Sequence, residues 1–493
     1  MHQSQEFPDI IGAFLHRTHA KYLLSGRCIN PSIFHISRIA ATSSIDCQTF
    51  IDRLQRNSLG RRTHHLFKCI FIGRAAFDVF RIILSERLIC LLYRFKGFIF
   101  SIMERIDLLF AIRQIKYEVG EENCCYIHLT LVPYIETANE LKTKPTQHSV
   151  KELHELGIIP NIIMLRTEHP IDDQTREKLA NFCNVDPAHI IQNLNARSIY
   201  EVPLQLEKEG LGKAVCTALG IKKGPADLSE WTRVVERFNN PEKNIKIALV
   251  GKYVALHDAY LSVVESLIHG GIENLASIDI DWVSSEDLTD DEATENRLKD
   301  ADAVIVPGGF GGRGIEGMVN TAKYCRTHNV PYFGICLGMQ IVCIEYARNV
   351  LGFADANSTE MEPETTHPVI DLMPDQNGKI LGGTLRLGKF ECSVAPETKT
   401  AQAYGSKTIW ERHRHRYEFN NVYREDFKKG GLIIAGVNPE RDLVEIVEVP
   451  GHQWMVGVQF HPEFKSRPNK AGPLFREFVR AACENKENKK NKN

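Results

Sequence analysis

From residue 245 onward, short apolar runs alternate with stretches of helical spacing. Residues 245–250 (IKIALV) form a β-branched run closed by Gly251, residues 259–268 repeat apolar positions at three- and four-residue intervals, and residues 278–283 are again strand-like. A charged helical stretch to Asp300, the run ADAVIVPGG, a helix across 318–327 and the run VPYFGIC continue the series. Residues 111–209 alternate in the same way: helical AIRQIKYEVG, strand-like CYIHLTLVPY, helical HSVKELHELG, strand-like PNIIMLRT and helical QTREKLANFC. Strands separated by helices predict parallel sheets covered on both faces. The expected fold class is therefore α/β, with two modules of mostly parallel sheet flanked by helices.

The same pattern sets the expected boundaries. Residues 209–244, with KKGPADLSEW and RFNNPEKN, are polar and punctuated by proline, which predicts a linker between the modules at 111–208 and 245–482. Residues 483–493, ending ENKENKKNKN, are too polar to bury anything and predict a disordered tail. No internal repeat is apparent.

Composition changes the picture at one place. The 493 residues are 43% hydrophobic and 25% charged, which excludes global disorder, and the length allows about three domains. A formal charge of -2 gives no basic field to attract nucleic acid. Yet residues 1–110 carry 15 Lys+Arg against 8 Asp+Glu, net +7, and the remainder is net -9. The two parts are compositionally foreign to each other. The most apolar stretch, 79–103, is interrupted by Arg81, Glu86, Arg87, Arg94 and Lys96, which argues against a membrane span. Thirteen cysteines, none in a CxxC pair, support neither a disulfide framework nor a zinc site. MHQSQEFPDI lacks the features of a secretory leader, so a cytoplasmic location is expected.

The chemistry concentrates in three short motifs. In GICLGMQ, Cys336 lies between a strand and a helix with Gly334 and Gly338 on either side, a turn that exposes a nucleophile above a sheet. The helix N-terminus favours the thiolate and can receive an oxyanion. Upstream, ADAVIVP runs into GGFGGRG, whose backbone N–H groups can approach a substrate, with Gly309 the expected second oxyanion donor. In VGVQFHPEF, His461 and Glu463 fall on one face of an extended segment, so the carboxylate can orient the imidazole that takes the cysteine proton. Singly, each residue has an ordinary reading, a buried core thiol or a core histidine. Their occurrence in this order favours a Cys-His-Glu triad, with Cys343 as core. ERHRHRYEFNN is read on its own as a basic surface strand, a phosphate patch or part of a substrate site. Likewise Lys142 and Lys144, followed by Pro145, Thr146 and Gln147 at a helix start, suit a triphosphate or are simply solvated.

PGGFGGRG, GICLGMQ and QFHPEF resemble a class I glutamine amidotransferase domain. ANSTE at 356–360, LGGTLRLG at 381–388 and ERHRHRYEFNN at 411–421 are similar to CTP synthase in particular, and LVPYIETANELKTKPTQHSVKEL resembles its UTP-binding segment. The resemblance runs from about Ala111 to Val479. It implies a partial P-loop-like amidoligase domain at 111–208 and an amidotransferase domain at 245–482. It further implies that Cys336 attacks the glutamine amide, that His461 and Glu463 complete the triad, and that Leu337 joins Gly309 in the oxyanion hole. Gln340, Glu360 and Arg416 would hold glutamine. Lys142, Thr143, Lys144, Pro145, Thr146, Gln147 and Lys178 would bind UTP or CTP, with Phe182 near Lys178. The implied reaction is ATP-dependent amination of UTP to CTP, part of pyrimidine biosynthesis. Its ammonia comes from glutamine and is channelled between domains, with Mg²⁺ accompanying ATP. GTP as activator, CTP as feedback inhibitor, and tetramers or filaments are implied as well.

Two departures qualify the resemblance. Asn195-Ala196 stands where Asp-Val is usual, which predicts weaker adenine contacts. Between Met1 and Phe110 there is no GxxxxGK[ST] and no Gly-Lys pair to cradle a triphosphate, only Gly12, Gly26, Gly60, Gly73 and Gly97. Residues 1–110 therefore read as a mis-joined exon, a replaced domain or a diverged ligase, disordered or not. The function expected is the full synthase, with a glutaminase-only or regulatory paralogue, or a filament component, as alternatives.

Overall fold

Strands that are apolar at every position need cover on both faces, and helices supply it around the runs 303–306 and 332–335 of the computed structural model, which describes residues 98–222, 224–372 and 385–492. The segment to residue 97, and Leu381 to Thr384 of LGGTLRLG, lie outside the described residues. The chain divides into two compact units, the first ending at Asp227 and the second beginning at Leu228.

In the first unit, α1 (Phe98–Val119) leads to β1 (Ile127–Leu131), α2 (Lys144–Glu155), β2 (Ile162–Arg166), α3 (Asp173–Cys183), β3 (Ile190–Asn193), α4 (Val202–Lys208) and α5 (Leu211–Ala218). The three strands form a parallel sheet in the order β1-β2-β3. Neighbouring residues serve opposite faces: Ile163 and Leu165 pack with Val150 and Leu179, whereas Ile162 packs with Ile191 and Ala214. The α3 helix starts where Asp172 accepts a bond from the Thr175 N–H at 2.7 Å and stops at Asn184 in the left-handed conformation. No break occurs at 110–111, where the sequence change predicted a boundary, because α1 runs through it with Ala111 buried.

The second unit opens with α6 (Ser229–Asn239), followed by β4 (Lys243–Gly251), α7 (Leu261–Asn274), β5 (Ala276–Ser284), α8 (Asp291–Leu298), β6 (Ala303–Val306), α9 (Ile315–His328), β7 (Tyr332–Ile335) and α10 (Leu337–Asn349). Then come β8 (Asn357–Ser358), β9 (Pro368–Leu372), β10 (Arg386–Val394), α11 (Lys399–Tyr404), β11 (Thr408–His415), β12 (Tyr417–Phe419), α12 (Arg424–Lys429), β13 (Ile433–Asn438), β14 (Leu443–Glu448), β15 (Met455–Val458) and α13 (Pro473–Lys492). Nine strands make one sheet, β11-β10-β13-β14-β15-β7-β6-β4-β5, parallel from β15 to β5 and antiparallel from β15 to β11. Ala248, Val304 and Val306 point into one apolar layer and Ile247, Leu249 and Ile305 into the other. α13 closes on α7 at Gly270, where a Cβ would stand 2.8 Å from the Phe475 carbonyl oxygen.

The division between the units falls inside 209–244, the expected linker, but that stretch and the tail both carry helix. Within 209–244, read as a linker, α5 and α6 form because apolar residues recur at helical spacing, Leu211, Ala214, Val215 and Ala218 in one and Trp231, Val234, Val235 and Phe238 in the other. Ala214, Val234 and Val235 are buried. The tail at 483–493, read as disordered, is helical to Lys492. Its polar side chains have backbone partners: Asn485 Nδ2 donates to Asp302 O at 2.8 Å, Lys486 Nζ to Asn244 O at 2.6 Å and Lys489 Nζ to Ala301 O at 2.6 Å.

Candidate functional site

The β7–α10 turn presents Cys336 at φ 52°, ψ -98°, a backbone conformation that favours glycine. Its N–H donates to Val458 O at 2.7 Å, tying the turn to the end of β15. The flanking glycines are required by contact. A Cβ on Gly334 would lie 2.5 Å from the Gly338 carbonyl, and one on Gly338 would lie 2.1 Å from Val306 O.

His461 follows β15, and its N–H donates to Arg412 O at 2.7 Å. Its Nδ1 is 2.8 Å from Glu463 Oε1, so the ring's other nitrogen is the one available to the sulfur. Burial works against a charged imidazole, but the Cys336 sulfur and the Glu463 carboxylate outweigh it and hold His461 up to about 10. Gly308, leaving β6, closes the third side: a Cβ there would stand 3.0 Å from His461 Cε1 and 3.5 Å from Cys336 Cβ. Gly309 packs on Leu337, its Cβ position 3.2 Å from Leu337 Cδ2. The first N–H groups of α10 have no partner within the helix, so Leu337 can offer a donor beside the sulfur.

The residues expected to hold glutamine surround the same point. Gln340, on the first turns of α10, donates through Nε2 to Tyr417 O at 3.0 Å and to Gln459 Oε1 at 3.3 Å. Glu360 Oε1 accepts from the Gly311 N–H at 3.0 Å. Glu360 and Arg416 both act on the Tyr417 hydroxyl, which burial raises first, Glu360 raises further and Arg416 opposes. Opposite charges thus both reach Tyr417. The neighbouring basic run is not a basic face: Arg412 and Arg414 are exposed, whereas His413 and His415 are 2% exposed and point inward.

Two residues escaped the sequence reading. Lys252, at the end of β4, is 6% exposed and donates to Phe310 O at 3.2 Å and to Gly311 O, pinning the loop that carries Gly309. Burial lowers its ammonium to about 8, with Glu360 opposing the shift. Its place after the first parallel strand, where α/β sites gather, was the available signal. Gln459 Nε2 lies 3.6 Å from Cys336 Sγ, and only its place in VQFHPEF marked it.

In the first unit, Lys142 Nζ pairs with Glu140 Oε2 at 2.5 Å. That bond, with Lys142 and Lys178 charge behind it, lowers the Glu140 carboxyl, so both lysines lie around one acid. Thr143 precedes α2 without a side-chain capping bond, Lys144 and Pro145 open the helix, and Gln147 Nε2 donates to Thr143 Oγ1 at 3.3 Å. Thr146 turns inward, its hydroxyl 2.6 Å from Thr130 Oγ1. Phe182 shares α3 with Lys178 and is half exposed, and Asn195 accepts from Arg166 Nη2. Among the described residues no group of three or more His, Cys, Asp or Glu side chains is arranged to hold a metal ion, and no helix is long and apolar enough to cross a membrane.

Residues 255–481 match the family model for glutamine amidotransferase class-I, and residues 92–221 match that for the CTP synthase N-terminus. The second match takes up the chain ahead of the expected join at 110–111. A CTP synthase of Clostridium kluyveri is 53% identical over 385 residues, covering 78% of this chain and 72% of the relative. A CTP synthase of Treponema denticola is 54% identical over 387 residues, with the same shares of each chain. Among solved structures, the glutaminase domain of Trypanosoma brucei CTPS with bound acivicin is 41% identical, with TM-score 0.47, covering 49% of this chain and 94% of that one.

Proposed function

The chain belongs to the CTP synthase family, and on that premise we propose that it aminates UTP to CTP at the expense of ATP, with ammonia released from glutamine at Cys336. The observation that carries the reading is the placement of His461, buttressed by Glu463 at 2.8 Å, at the Cys336 turn. In the first half-reaction the Cys336 thiolate attacks the glutamine amide carbon and the oxygen's charge falls on the Gly309 and Leu337 N–H groups. The His461 imidazolium gives its proton to the leaving nitrogen, ammonia departs, and a thioester remains. Water then attacks the thioester with His461 as base, releasing glutamate and restoring the thiolate. Glu360 pairs with the substrate α-ammonium and Arg416 with its α-carboxylate. Gln340, with both Nε2 hydrogens spent on Tyr417 and Gln459, offers Oε1 to the amide N–H.

In the second half-reaction ATP phosphorylates O4 of UTP and ammonia displaces the phosphate. Lys142, Lys144 and Lys178 supply positive charge for the UTP phosphates, with Thr143, Pro145, Thr146 and Gln147 shaping the start of α2 around them. GTP activation, CTP feedback and assembly into tetramers or filaments belong to the same reading.

The test follows CTP formation and glutamine hydrolysis in parallel on the 493-residue chain. CTP from UTP, ATP and either glutamine or ammonia is the expected result, and Cys336→Ala retains only the ammonia-dependent reaction. Glutamine hydrolysis with no CTP from either nitrogen source would leave the glutaminase-only alternative standing, for which the missing GxxxxGK[ST] between Met1 and Phe110 is the motivating observation.

A further inference from the structure

The carbonyl oxygen of Tyr417 lies 3.0 Å from Gln340 Nε2 and 3.0 Å from His415 Nδ1. A carbonyl oxygen only accepts, so both facing atoms are donors, and two side-chain orientations are fixed at once. Along the first branch, Gln340's remaining N–H meets Gln459 Oε1 at 3.3 Å. That turns Gln459 Nε2 toward Cys336 Sγ, 3.6 Å away. Along the second branch, His415 Nε2 is left as the acceptor and takes the Nδ1–H of His413 at 3.0 Å. His413 Nε2 is then a lone pair, and it faces Glu445 Oε2 at 3.4 Å. The other oxygen of Glu445 accepts from Arg386 Nη1 at 2.6 Å.

His413 Nε2 and Glu445 Oε2 are buried and have no other partner, and two lone pairs facing each other would repel. One proton on the Glu445 carboxyl, shared with His413 Nε2, satisfies both atoms. Burial favours that state: it pushes Glu445 up to about 7 against the pull of Arg386, and it keeps both histidines neutral, His415 near 3. Arg386 Nη1 also stands 3.5 Å from His413 Nδ1, too long to hold that nitrogen as an acceptor against its 3.0 Å contact with His415, so one set of side-chain orientations runs from Glu445 to Cys336. It ends with an amide N–H directed at the nucleophile.

We propose that Glu445, His413, His415 and Gln459 are positioning residues for Cys336, holding the Gln459 N–H on its sulfur through the Tyr417 carbonyl and Gln340. A donor in that place stabilises the thiolate, whereas a flipped Gln459 would set its oxygen against the charge. The inference rests on Cys336 being the glutaminase nucleophile.

The experiment measures glutamine turnover and the rate at which iodoacetamide alkylates Cys336, read on the Cys336 peptide by mass spectrometry. It uses the full chain and the variants Gln459→Met, His415→Leu and His415→Asn, with circular dichroism to confirm folding. Loss of one hydrogen bond to a charged sulfur lowers kcat and the alkylation rate together, about tenfold, in Gln459→Met and His415→Leu. His415→Asn, whose Nδ2 reproduces the donor to Tyr417, recovers most of the loss. A merely structural role would change melting alike in the Leu and Asn variants and leave alkylation of folded protein untouched. Folded Gln459→Met with wild-type turnover and alkylation overturns the proposal, as does His415→Asn no better than His415→Leu. Should His415→Leu not fold, Gln459→Met decides alone. Glutamine hydrolysis by Cys336→Ala would instead sink the nucleophile assignment itself.

Discussion

His461 Nδ1 lies 2.8 Å from Glu463 Oε1 because the Pro462–Phe464 turn folds the carboxylate back beneath the ring, with 13% and 5% of the two side chains exposed. The histidine is held up to about 10, so its charge stabilises the fold fully below the ordinary histidine range, about pH 6, and that stabilisation is lost as pH rises through about 10. Glu463→Gln removes one source of the shift. Urea unfolding should show wild type exceeding Glu463→Gln by more at about pH 6 than at about pH 10, and glutamine turnover should fall at least about tenfold. An equal stability gap at both pH values would mean that Glu463 does not hold the charge.

Gly338→Ala places a methyl carbon against Val306 O, a clash that backbone cannot relieve cheaply. Overpacking of this kind costs about 1–3 kcal/mol. Calorimetry should find melting a few degrees lower, with glutamine turnover lost because the α10 N-terminus moves off the sulfur. A melting point and turnover equal to wild type would refute the contact.

Lys252→Met keeps the stem of the side chain and removes the bonds to Phe310 and Gly311. With the loop carrying Gly309 released, kcat for glutamine should drop about tenfold, the scale of one charged hydrogen bond. Since burial lowers the Lys252 ammonium to about 8, charging it costs stability below that pH, and the cost fades as pH rises toward about 10. The variant's stability relative to wild type should therefore be highest below pH 8. No change in kcat would exclude Lys252 from the loop's support.

Lys142→Ala should weaken UTP binding, seen as a raised KM for UTP, while glutamine hydrolysis measured without nucleotide stays at the wild-type rate. Its partner Glu140 then keeps the charge of Lys178 nearby. Unchanged UTP affinity by calorimetric titration would remove Lys142 from the nucleotide site.

Truncation after Cys483 deletes the donors that Asn485, Lys486 and Lys489 offer to Asp302, Asn244 and Ala301. At about 1 kcal/mol for each net hydrogen bond, thermal melting should fall by several degrees. A melting curve superimposable on wild type would make those bonds energetically idle.

The proposed grouping of Cys336, His461 and Glu463 was legible because its members sit in short motifs where glycine, strand end and helix start are contiguous, as at Gly334-Ile335-Cys336. Lys252 and Gln459 were not, since their roles depend on Phe310 and Cys336, distant in the chain and near only after the sheet forms. His413 and His415 were hidden differently. Alternation along β11 sends them inward and the arginines outward, but a run of five basic residues masks that period. The C-terminal helix misled for a related reason: its polarity argued against burial, whereas its amide and ammonium groups serve backbone carbonyls at the starts of β4 and β6 rather than an apolar core. At 209–244 the proline and charge drew the eye from apolar spacing that was present in both helices.

The backbone at Cys336, φ 52°, ψ -98°, makes the resting protein resemble a cocked spring. A side chain held there stores about 1–3 kcal/mol that a glycine would release. Selection for thermal robustness alone would drive this position toward glycine, and with it toward a sturdier protein without the proposed nucleophile. The proposed nucleophile is kept where folding least favours it, and on that reading reactivity is tied to a standing deficit in stability.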